Sequence, residues 1–107
     1  MIVIYVTCVD LQEAKKIGTH IMQKRLAPCY NIIQNTYSAA FWPPKTGEIE
    51  EVSGAILLLK SIHSNFAAIE AEIKTIHSDI TPCIFSIPVS NVSDGYFNWL
   101  VSEMEIV

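Results

Sequence analysis

The segment LAPCYNIIQNTYSAAFWPPKTGEIEEVSGAILLLK, residues 26–60, decides the fold. Two apolar-rich runs flank a Pro-Pro-Lys-Thr-Gly turn, where Gly47 and the two prolines mark the reversal of the chain. Pro28 cannot donate to a sheet ladder, so it belongs at a strand start or edge, and Gly54 indicates a bulge or a close backbone approach. The segment predicts one β-hairpin that is too long for two short helices to cover. We therefore expect a partner subunit to bury part of it.

A strand and a helix are predicted before the hairpin. Ile2 to Cys8 is apolar on both parities, as in a strand that is covered on both faces. Asp10 can cap the helix that follows, with Glu13 three residues later as in a capping box. That helix should end before Pro28, because a proline disfavours helical geometry at the residue preceding it.

A helix, a strand and a short third helix are predicted after the hairpin. Ser61 or Ser64 is placed to cap the second helix. Its apolar stripe has a clean helical period and comprises Ile62, Phe66, Ile69, Ile73 and Ile76. The last main strand should begin at Pro82, and Asn91 or Ser93 should cap the third helix.

Elements in this order form two β-α-β halves, which is the ferredoxin-like α+β arrangement. The length of 107 residues suits a single domain, 1–107, since domains typically have about 100–150 residues. Both main helices then cover one face of an antiparallel sheet and leave the other face bare. Because Ile2–Val6 and Ala55–Leu59 are apolar on both parities, we expect a homo-oligomer whose sheets pack together.

Composition and charge exclude several classes of function. The net charge is −4, whereas nucleic-acid binding favours a basic surface. No apolar run approaches the ~20 residues that span a bilayer, and the start lacks the basic region of a signal peptide. Cys8, Cys29 and Cys83 are odd in number and widely spaced, which is no disulfide framework. We therefore expect a cytoplasmic protein that has neither nucleic acid nor membrane as a partner.

Cys29 and His77 are the candidate metal ligands. If they converge at a subunit junction, their thiolate and imidazole would suit copper or zinc. The alternative is that Cys29 is a small buried hydrophobic residue and His77 a cation at a helix C-terminus. The chain has no CxxC or HxxxH spacing, so no self-contained metal site can be identified. Cys8 and Cys83 are expected in the core.

Lys60, Tyr37 and Trp42 are the candidate ligand-binding residues. Lys60 follows four apolar residues and either meets an anion in an intersubunit cleft or holds its ammonium group in water. Tyr37 and Trp42 either stack on a ligand or bury against a neighbouring protomer, where aromatic residues are enriched. Glu48 and Glu50 share a strand face and suit either a hard cation or a solvated hairpin edge.

Catalysis finds little support in the sequence, and we expect no enzyme activity. The four glycines are well separated, so no phosphate loop is present, and no third group can be named that would orient a Cys-His pair. The alternative is a cofactor-free enzyme of the dimeric α+β barrel type. It would have a deep apolar pocket, with His20, His63 or His77 as its acid or base. Otherwise His20 and His63 are expected to be solvated, because they lie on polar segments.

The order and spacing of several short motifs resemble one known family over nearly the whole chain. These are Thr7 with Asp10, Arg25-Leu26-Ala27 with Cys29 and Asn31, Tyr37 with Trp42, Ile56 to Ser61, His77 before Pro82, Asn91-Val92, Tyr96, and Trp99-Leu100. They are similar to the CutA divalent-cation-tolerance proteins. The resemblance implies a ferredoxin-like fold, tight homotrimers with an architecture similar to the PII signalling proteins, and a role in tolerance of copper and other divalent metals. It implies no turnover reaction, and no cofactor is expected to be required for folding.

The resemblance also implies where a ligand would bind. Some members of the family bind copper through a cysteine in the first strand and two adjacent histidines. The matching positions here are Val6, Ile76 and His77, and Cys8 lies two residues beyond the first. His77-Ser78-Asp79 stands where members usually have His-Pro-Tyr. We expect copper or another divalent cation, or a small ligand, in clefts between protomers. The alternative is a PII-like sensor of a small anionic metabolite.

Overall fold

The structure, a computed structural model, describes all residues from 1 to 107. Four strands and three helices follow one another in the predicted order, with a short 3-10 turn before the second helix. They are β1 (Ile2–Cys8), α1 (Leu11–Gln23), β2 (Cys29–Phe41), β3 (Ile49–Ser61), α2 (Phe66–Ile76), β4 (Ile84–Pro88) and α3 (Asp94–Ser102). No helix combines the length and the apolar character that a membrane crossing requires.

The strands form one antiparallel sheet in the order β2-β3-β1-β4. The predicted ferredoxin-like α+β fold is therefore confirmed. Side chains of β1 alternate between buried and half-buried. The buried set, which includes Ile4 and Val6, packs with Leu57 of β3 and with Ile17 and Ile69 of the two main helices in a single core. Both main helices thus cover the same face of the sheet.

The hairpin of β2 and β3 is as long as predicted, with 13 residues in each strand. Gly47 in its turn has a φ of +75°. The pairing shifts register between Ile33 and Thr36, and Thr36 lies opposite Gly54. A Cβ at Gly54 would collide with the carbonyl oxygen of Cys8, so the predicted close backbone approach is confirmed. Beyond this point, residues 36–53 form a mostly exposed projection that we call the arm.

The second face of the sheet is only partly covered. Val3 pairs with Ile87 on this face and Tyr5 pairs with Phe85, whose ring stacks on that of Tyr5 at a centroid distance of 4.6 Å. Phe85 and Ile87 remain 43% and 46% exposed. We call this surface the open face. The expectation of a bare second face holds for the single chain.

Capping of the second helix differs from the expectation. Ser61 is the last residue of β3, paired with Ile2, and its hydroxyl donates to the carbonyl of Leu26 instead of capping α2. A 3-10 turn at His63–Asn65 comes next, so Ser64 lies inside this turn and Asn65 takes the N-cap position without a side-chain cap bond. The serine prediction is wrong because β3 extends further than expected.

The last strand also differs from the expectation. β4 begins at Ile84 rather than at Pro82, because its pairing with β1 extends only from Val6 to Ile2. Cys83 precedes β4, and its carbonyl accepts from the N–H of Thr7 at 3.3 Å. Its side chain is exposed, so its assignment to the core is wrong. Ser93 does precede α3, as expected, but makes no side-chain cap bond.

Candidate metal centre

A cysteine, a glutamate and a histidine meet where the end of β1 lies beside the start of α1 and the end of α2. The sulfur of Cys8, a carboxylate oxygen of Glu13 and a ring nitrogen of His77 all lie within 4.8 Å of one another. Cys8 ends β1, Glu13 is in the first turn of α1, and His77 directly follows α2. We call these residues the Cys8–Glu13–His77 cluster. It is the one group of three or more possible metal-ligating side chains in the chain.

The His77 side chain is fully buried and both of its ring nitrogens are hydrogen-bonded. Nε2 lies 2.7 Å from the carbonyl oxygen of Thr7, to which it donates. Nδ1 accepts from the backbone N–H of Asp79 at 2.9 Å. One donor and one acceptor are what a neutral imidazole offers, so these partners assign the proton to Nε2. The ring ties the segment after α2 to the end of β1.

Glu13 joins three segments through its two carboxylate oxygens. One oxygen accepts from the backbone N–H of Val9 at 2.9 Å, and the other accepts from that of Ser78, also at 2.9 Å. Asp10 accepts from the Glu13 N–H at 2.8 Å, which confirms the predicted cap of α1. Burial alone would raise the pKa of Glu13, but the hydrogen bonds that its carboxylate accepts from Ser78 and Val9 outweigh burial and lower it. Glu13 is therefore held as a carboxylate.

The Cys8 thiol is buried, with 6% of the residue exposed, which confirms its predicted place in the core. Burial, and then the negative charges of Glu13, Asp10 and Asp79, raise its pKa to about 12. The thiol is therefore protonated at neutral pH. A bound cation would reverse this balance, because a coordinating thiol loses its proton and the three carboxylates would then stabilise the positive charge.

The donor set of the cluster fits a borderline or soft divalent metal. Thiolate, imidazole and carboxylate are the ligands that zinc takes in proteins, and thiolate and imidazole also suit copper. Binding would require Cys8 to lose its proton and Nε2 of His77 to give up its bond to the carbonyl of Thr7. A neutral ring that binds a metal through Nε2 carries its proton on Nδ1, so Nδ1 would no longer accept from the N–H of Asp79. An ion would therefore replace both hydrogen bonds of the His77 ring.

Cys29 and Lys60, predicted as metal and ligand residues, lie together at the other end of the sheet. They are direct cross-strand partners. The sulfur of Cys29 is 3.0 Å from the hydroxyl of Tyr96 on α3, and the Lys60 ammonium lies 5.9 Å from the centre of the Tyr96 ring. Burial, and then the hydrogen bond with Cys29, raise the pKa of Tyr96 to about 12. We call these residues the Cys29–Lys60–Tyr96 cluster.

Cys29 and His77, the predicted metal pair, are not brought together within one chain. Lys60 pairs with both Cys29 and Val3, so Cys29 lies level with Val3 across the sheet. His77, in contrast, contacts the carbonyl of Thr7. Four residues along a strand span about 13 Å, and β2 is in addition two strands away from β1. A shared ion would therefore require Cys29 of one chain and His77 of another, so their pairing stays a prediction about the assembly.

Tyr37 and Trp42, the other predicted ligand-binding residues, lie on the arm and are 67% and 43% exposed. Tyr37 pairs with Ser53, seven residues before Lys60 on β3, which corresponds to about 23 Å. Within one chain the arm and Lys60 therefore form no common site. Glu48 and Glu50 are exposed on the arm, as a solvated hairpin edge would be.

Neither of the two remaining histidines belongs to a group of three possible metal-ligating side chains. His63 is exposed, as expected. The side chain of His20 is 29% exposed, and its Nε2 lies 2.8 Å from a carboxylate oxygen of Glu72. His20 is thus less solvated than predicted, because α2 places an acidic residue directly beside it.

Sequence reasoning missed the long-range role of Glu13 and the partnership of Cys29 with Tyr96. The spacing from Asp10 located Glu13 at the start of α1, but its bond to Ser78 joins residues 65 positions apart. One usable signal was strand parity. Cys8 has the parity of Ile4 and Val6, which directs its side chain toward the helices that carry Glu13 and lead into His77.

Comparison with known protein families gives a match over nearly the whole chain. The family model described as "CutA1 divalent ion tolerance protein" matches residues 2–103. The divalent-cation tolerance protein CutA of Archaeoglobus fulgidus is 32% identical over 102 residues, which are 95% of this chain and 96% of that protein. The chloroplastic protein CutA of Arabidopsis thaliana is 29% identical, and the match spans 92% of this chain but only 53% of that longer protein.

Solved structures agree with the sequence relatives. The structure of the periplasmic divalent cation tolerance protein CutA from Archaeoglobus fulgidus superimposes with a TM-score of 0.91 at 32% identity, covering 98% of this chain and 100% of the other. CutA from Xylella fastidiosa gives a TM-score of 0.90 at 27% identity, covering 97% of each chain. The chain belongs to the CutA1 divalent ion tolerance protein family.

Proposed function

We propose that this chain acts in divalent-metal tolerance as a binding module, and that it takes copper or zinc at the Cys8–Glu13–His77 cluster. The observation that carries the proposal is the meeting of three donors of different chemistry within 4.8 Å. His77 keeps the role that the sequence predicted for it. Its partners become Cys8 and Glu13 of the same chain instead of Cys29.

The electrostatics of the cluster favour a cation. Burial opposes a negative charge on the Cys8 sulfur and raises its pKa, and the charges of Glu13, Asp10 and Asp79 add to this effect. A divalent ion would relieve this repulsion and release the thiol proton. Affinity should therefore fall as the pH is lowered, since protons compete for the same sulfur and nitrogen atoms.

Binding rather than catalysis is the activity that we propose. Two surface grooves, of about 460 and 180 Å³, are lined mainly by polar side chains. A cofactor-free enzyme of the α+β barrel type would instead need an apolar pocket, with one of the histidines facing its ligand. His77 faces Thr7 and Asp79, and His20 faces Glu72.

We also propose that the chain works as a homotrimer of PII-like architecture. The support comes from the open face and from the arm, whose exposed apolar residues are Tyr37, Phe41, Trp42, Ile49 and Val52. Exposed apolar surface of this extent marks an interaction site in a small protein, and aromatic residues are enriched in such sites. Packing of three copies would cover both surfaces.

A second candidate function is sensing of a small anion at the boundary between protomers. The observation that favours it is the Cys29–Lys60–Tyr96 cluster, where the Lys60 ammonium lies over an aromatic ring with no carboxylate paired to it. In an assembly, Tyr37 or Trp42 of a neighbouring arm would supply the stacking surface. If this is the function, the Cys8–Glu13–His77 cluster binds no metal and only joins β1, α1 and the segment after α2 through hydrogen bonds.

Native mass spectrometry of the metal-free protein, titrated with Zn²⁺ and Cu²⁺, tests these proposals together. We expect a trimer that gains one metal per chain. Cys8→Ala and Glu13→Gln should both reduce uptake, while Cys29→Ser should leave it unchanged. With Co²⁺ in place of zinc, a thiolate-to-cobalt absorption band should appear and should be absent from Cys8→Ala.

The contrary results are equally specific. Loss of uptake in Cys29→Ser with full uptake in Glu13→Gln would move the metal to a site between chains. A trimer that takes up no metal would reject the metal site and favour the anion. A dimer would contradict the proposed assembly and revive the enzyme alternative. Circular dichroism of each variant distinguishes lost binding from lost folding.

A further inference from the structure

A polar groove lies on the outer side of α1, away from the sheet. Its volume is about 460 Å³. Six of its lining side chains belong to α1 and can donate hydrogen bonds, namely Gln12, Lys15, Lys16, Thr19, His20 and Gln23. Ile76, at the end of α2, is the single apolar contributor. We call this surface the α1 groove.

The α1 groove is a basic surface on an acidic protein. The net charge of the chain is −4, yet four of its seven lysines and arginines lie between residues 15 and 25: Lys15, Lys16, Lys24 and Arg25. Lys24 and Arg25 approach carboxylates of Glu72 and Glu103 at 3.8 and 2.7 Å. Lys15 and Lys16 make no ion pair, so both ammonium groups are free to meet a ligand.

No carboxylate lines the groove, and the carboxylate of Glu72 on α2 is already paired with His20 and Lys24. One oxygen of Glu72 lies 2.8 Å from Nε2 of His20, and the other lies 3.8 Å from the Lys24 ammonium. The pKa of Glu72 lies below its ordinary value, mainly because of the hydrogen bond with His20, with the charge of Lys24 adding to it. An anion in the groove would therefore meet donors without facing an unpaired acid.

The size and spacing of the donors point to the class of ligand. A volume of about 460 Å³ lies within the roughly 300–1,000 Å³ of small-molecule sites, but a lining with one apolar residue suits no apolar ligand. Gln12, Lys16, Thr19 and Gln23 recur at helical spacing, so one donor follows another about every 5 Å along the axis. A linear anion can therefore contact successive turns of α1.

We propose that the α1 groove binds a small polyanion of linked phosphate groups, held by Lys15 and Lys16 and by the neutral donors along α1. The site lies on the helix side of the molecule, so packing of the open faces in an assembly would leave it accessible. It uses neither Cys8, Glu13 nor His77. The proposal therefore goes beyond metal tolerance and stands or fails independently of the metal site.

Calorimetric titration of the metal-free protein with inorganic tripolyphosphate tests the proposal. Removing metal first prevents chelation from being mistaken for binding to the groove. At low ionic strength we expect one tripolyphosphate per chain, and about tenfold weaker binding for Lys15→Gln/Lys16→Gln. The matched control is Lys45→Gln/Lys74→Gln, which removes the same charge from the arm and from α2 and should stay within about twofold of the wild type.

Three results would overturn the proposal. No heat of binding at low salt would mean that the groove does not recognise phosphate. Equal weakening in both double variants would mean that the ligand responds only to net charge. If a short polyglutamate peptide bound through Lys15 and Lys16 while tripolyphosphate did not, the groove would be a docking surface for an acidic protein.

Discussion

The two ends of strand β1 place a cysteine in opposite electrostatic surroundings. Cys8 is buried beside the Glu13 carboxylate, and the exposed Asp10 and Asp79 add negative charge. Its polar neighbours Glu13 and His77 are tied by hydrogen bonds to the backbone. Cys29, level with the start of β1, is half-buried beside the hydroxyl of Tyr96 and directly opposite Lys60. One sheet thus presents an acidic, closed thiol site and a basic, more open one.

This difference shows that the sheet register, more than residue type, decides which charged groups surround each cysteine and so which ligand its thiol suits. The first site resists ionisation unless a cation enters it. The second lies next to a fixed cation and near the boundary that an assembly would cover. We therefore expect a metal at the Cys8 end, whereas the Cys29 end suits the small anion of the second candidate function.

Thiol reactivity gives the largest expected contrast. A pKa near 12 against an ordinary value of 9.0 leaves Cys8 with about a thousandfold less thiolate than an unperturbed cysteine. Alkylation of the folded protein with iodoacetamide, followed by peptide mass mapping, should modify exposed Cys83 first, then Cys29, and Cys8 only after unfolding. In urea all three should react alike. Rapid alkylation of Cys8 in the folded state would remove the contrast.

Glycine substitutions should show whether the chain is packed more tightly at Gly54, beside Cys8, or at Gly18, beside Tyr30. In Gly54→Ala the new Cβ meets the backbone carbonyl of Cys8, which cannot move without breaking the sheet, so we expect a loss of about 3 kcal/mol. In Gly18→Ala it meets the Tyr30 ring at 2.6 Å, so a side chain rather than the backbone has to shift, and we expect a smaller loss. The helix propensity of alanine offsets about 1 kcal/mol of that cost.

Urea unfolding at one fixed protein concentration measures both variants, since the stability of an oligomer depends on concentration. Gly95→Ala is the matched control, because nothing lies within 4 Å of its Cβ position and it lies within α3. It should leave stability unchanged or raise it slightly. If Gly18→Ala were less stable than Gly54→Ala, the packing at Tyr30 would be less tolerant of an added methyl group than the packing at Cys8.

Local signals in the sequence were enough for much of the fold. The long hairpin, the cap at Asp10, the end of α1 before Pro28 and the close approach at Gly54 each depend on residues within a short window. The strand boundary near Cys83 was not local. It depends on how the chain pairs with β1, which lies more than 70 residues earlier in the sequence.

The candidate site was less predictable than the fold for the same reason. His77 was predicted to be a metal ligand, but its neighbours Cys8 and Glu13 lie more than 60 residues away in sequence. Cys29 was chosen as its partner from residue chemistry alone. Only the strand order and register reveal that Cys29 lies near the opposite end of β1 from Thr7, the contact of His77.

The pH dependence of stability gives the smallest expected effect and tests the acidic end directly. The pKa of Glu13 is lower in the folded chain than its ordinary value of 4.5, so its carboxylate contributes stability above that pH and loses it as the pH falls through the lowered pKa. Glu13→Gln should be less stable than wild type by about 1 kcal/mol at pH 7, because the amide can replace only one of the two acceptors. The difference should shrink as the pH falls below the ordinary value, as measured by urea unfolding at several pH values. Glu50→Gln, on the exposed arm, is the control. If the stability difference between wild type and Glu13→Gln did not change with pH, the ionised carboxylate of Glu13 would not be the group that holds α1 to Ser78.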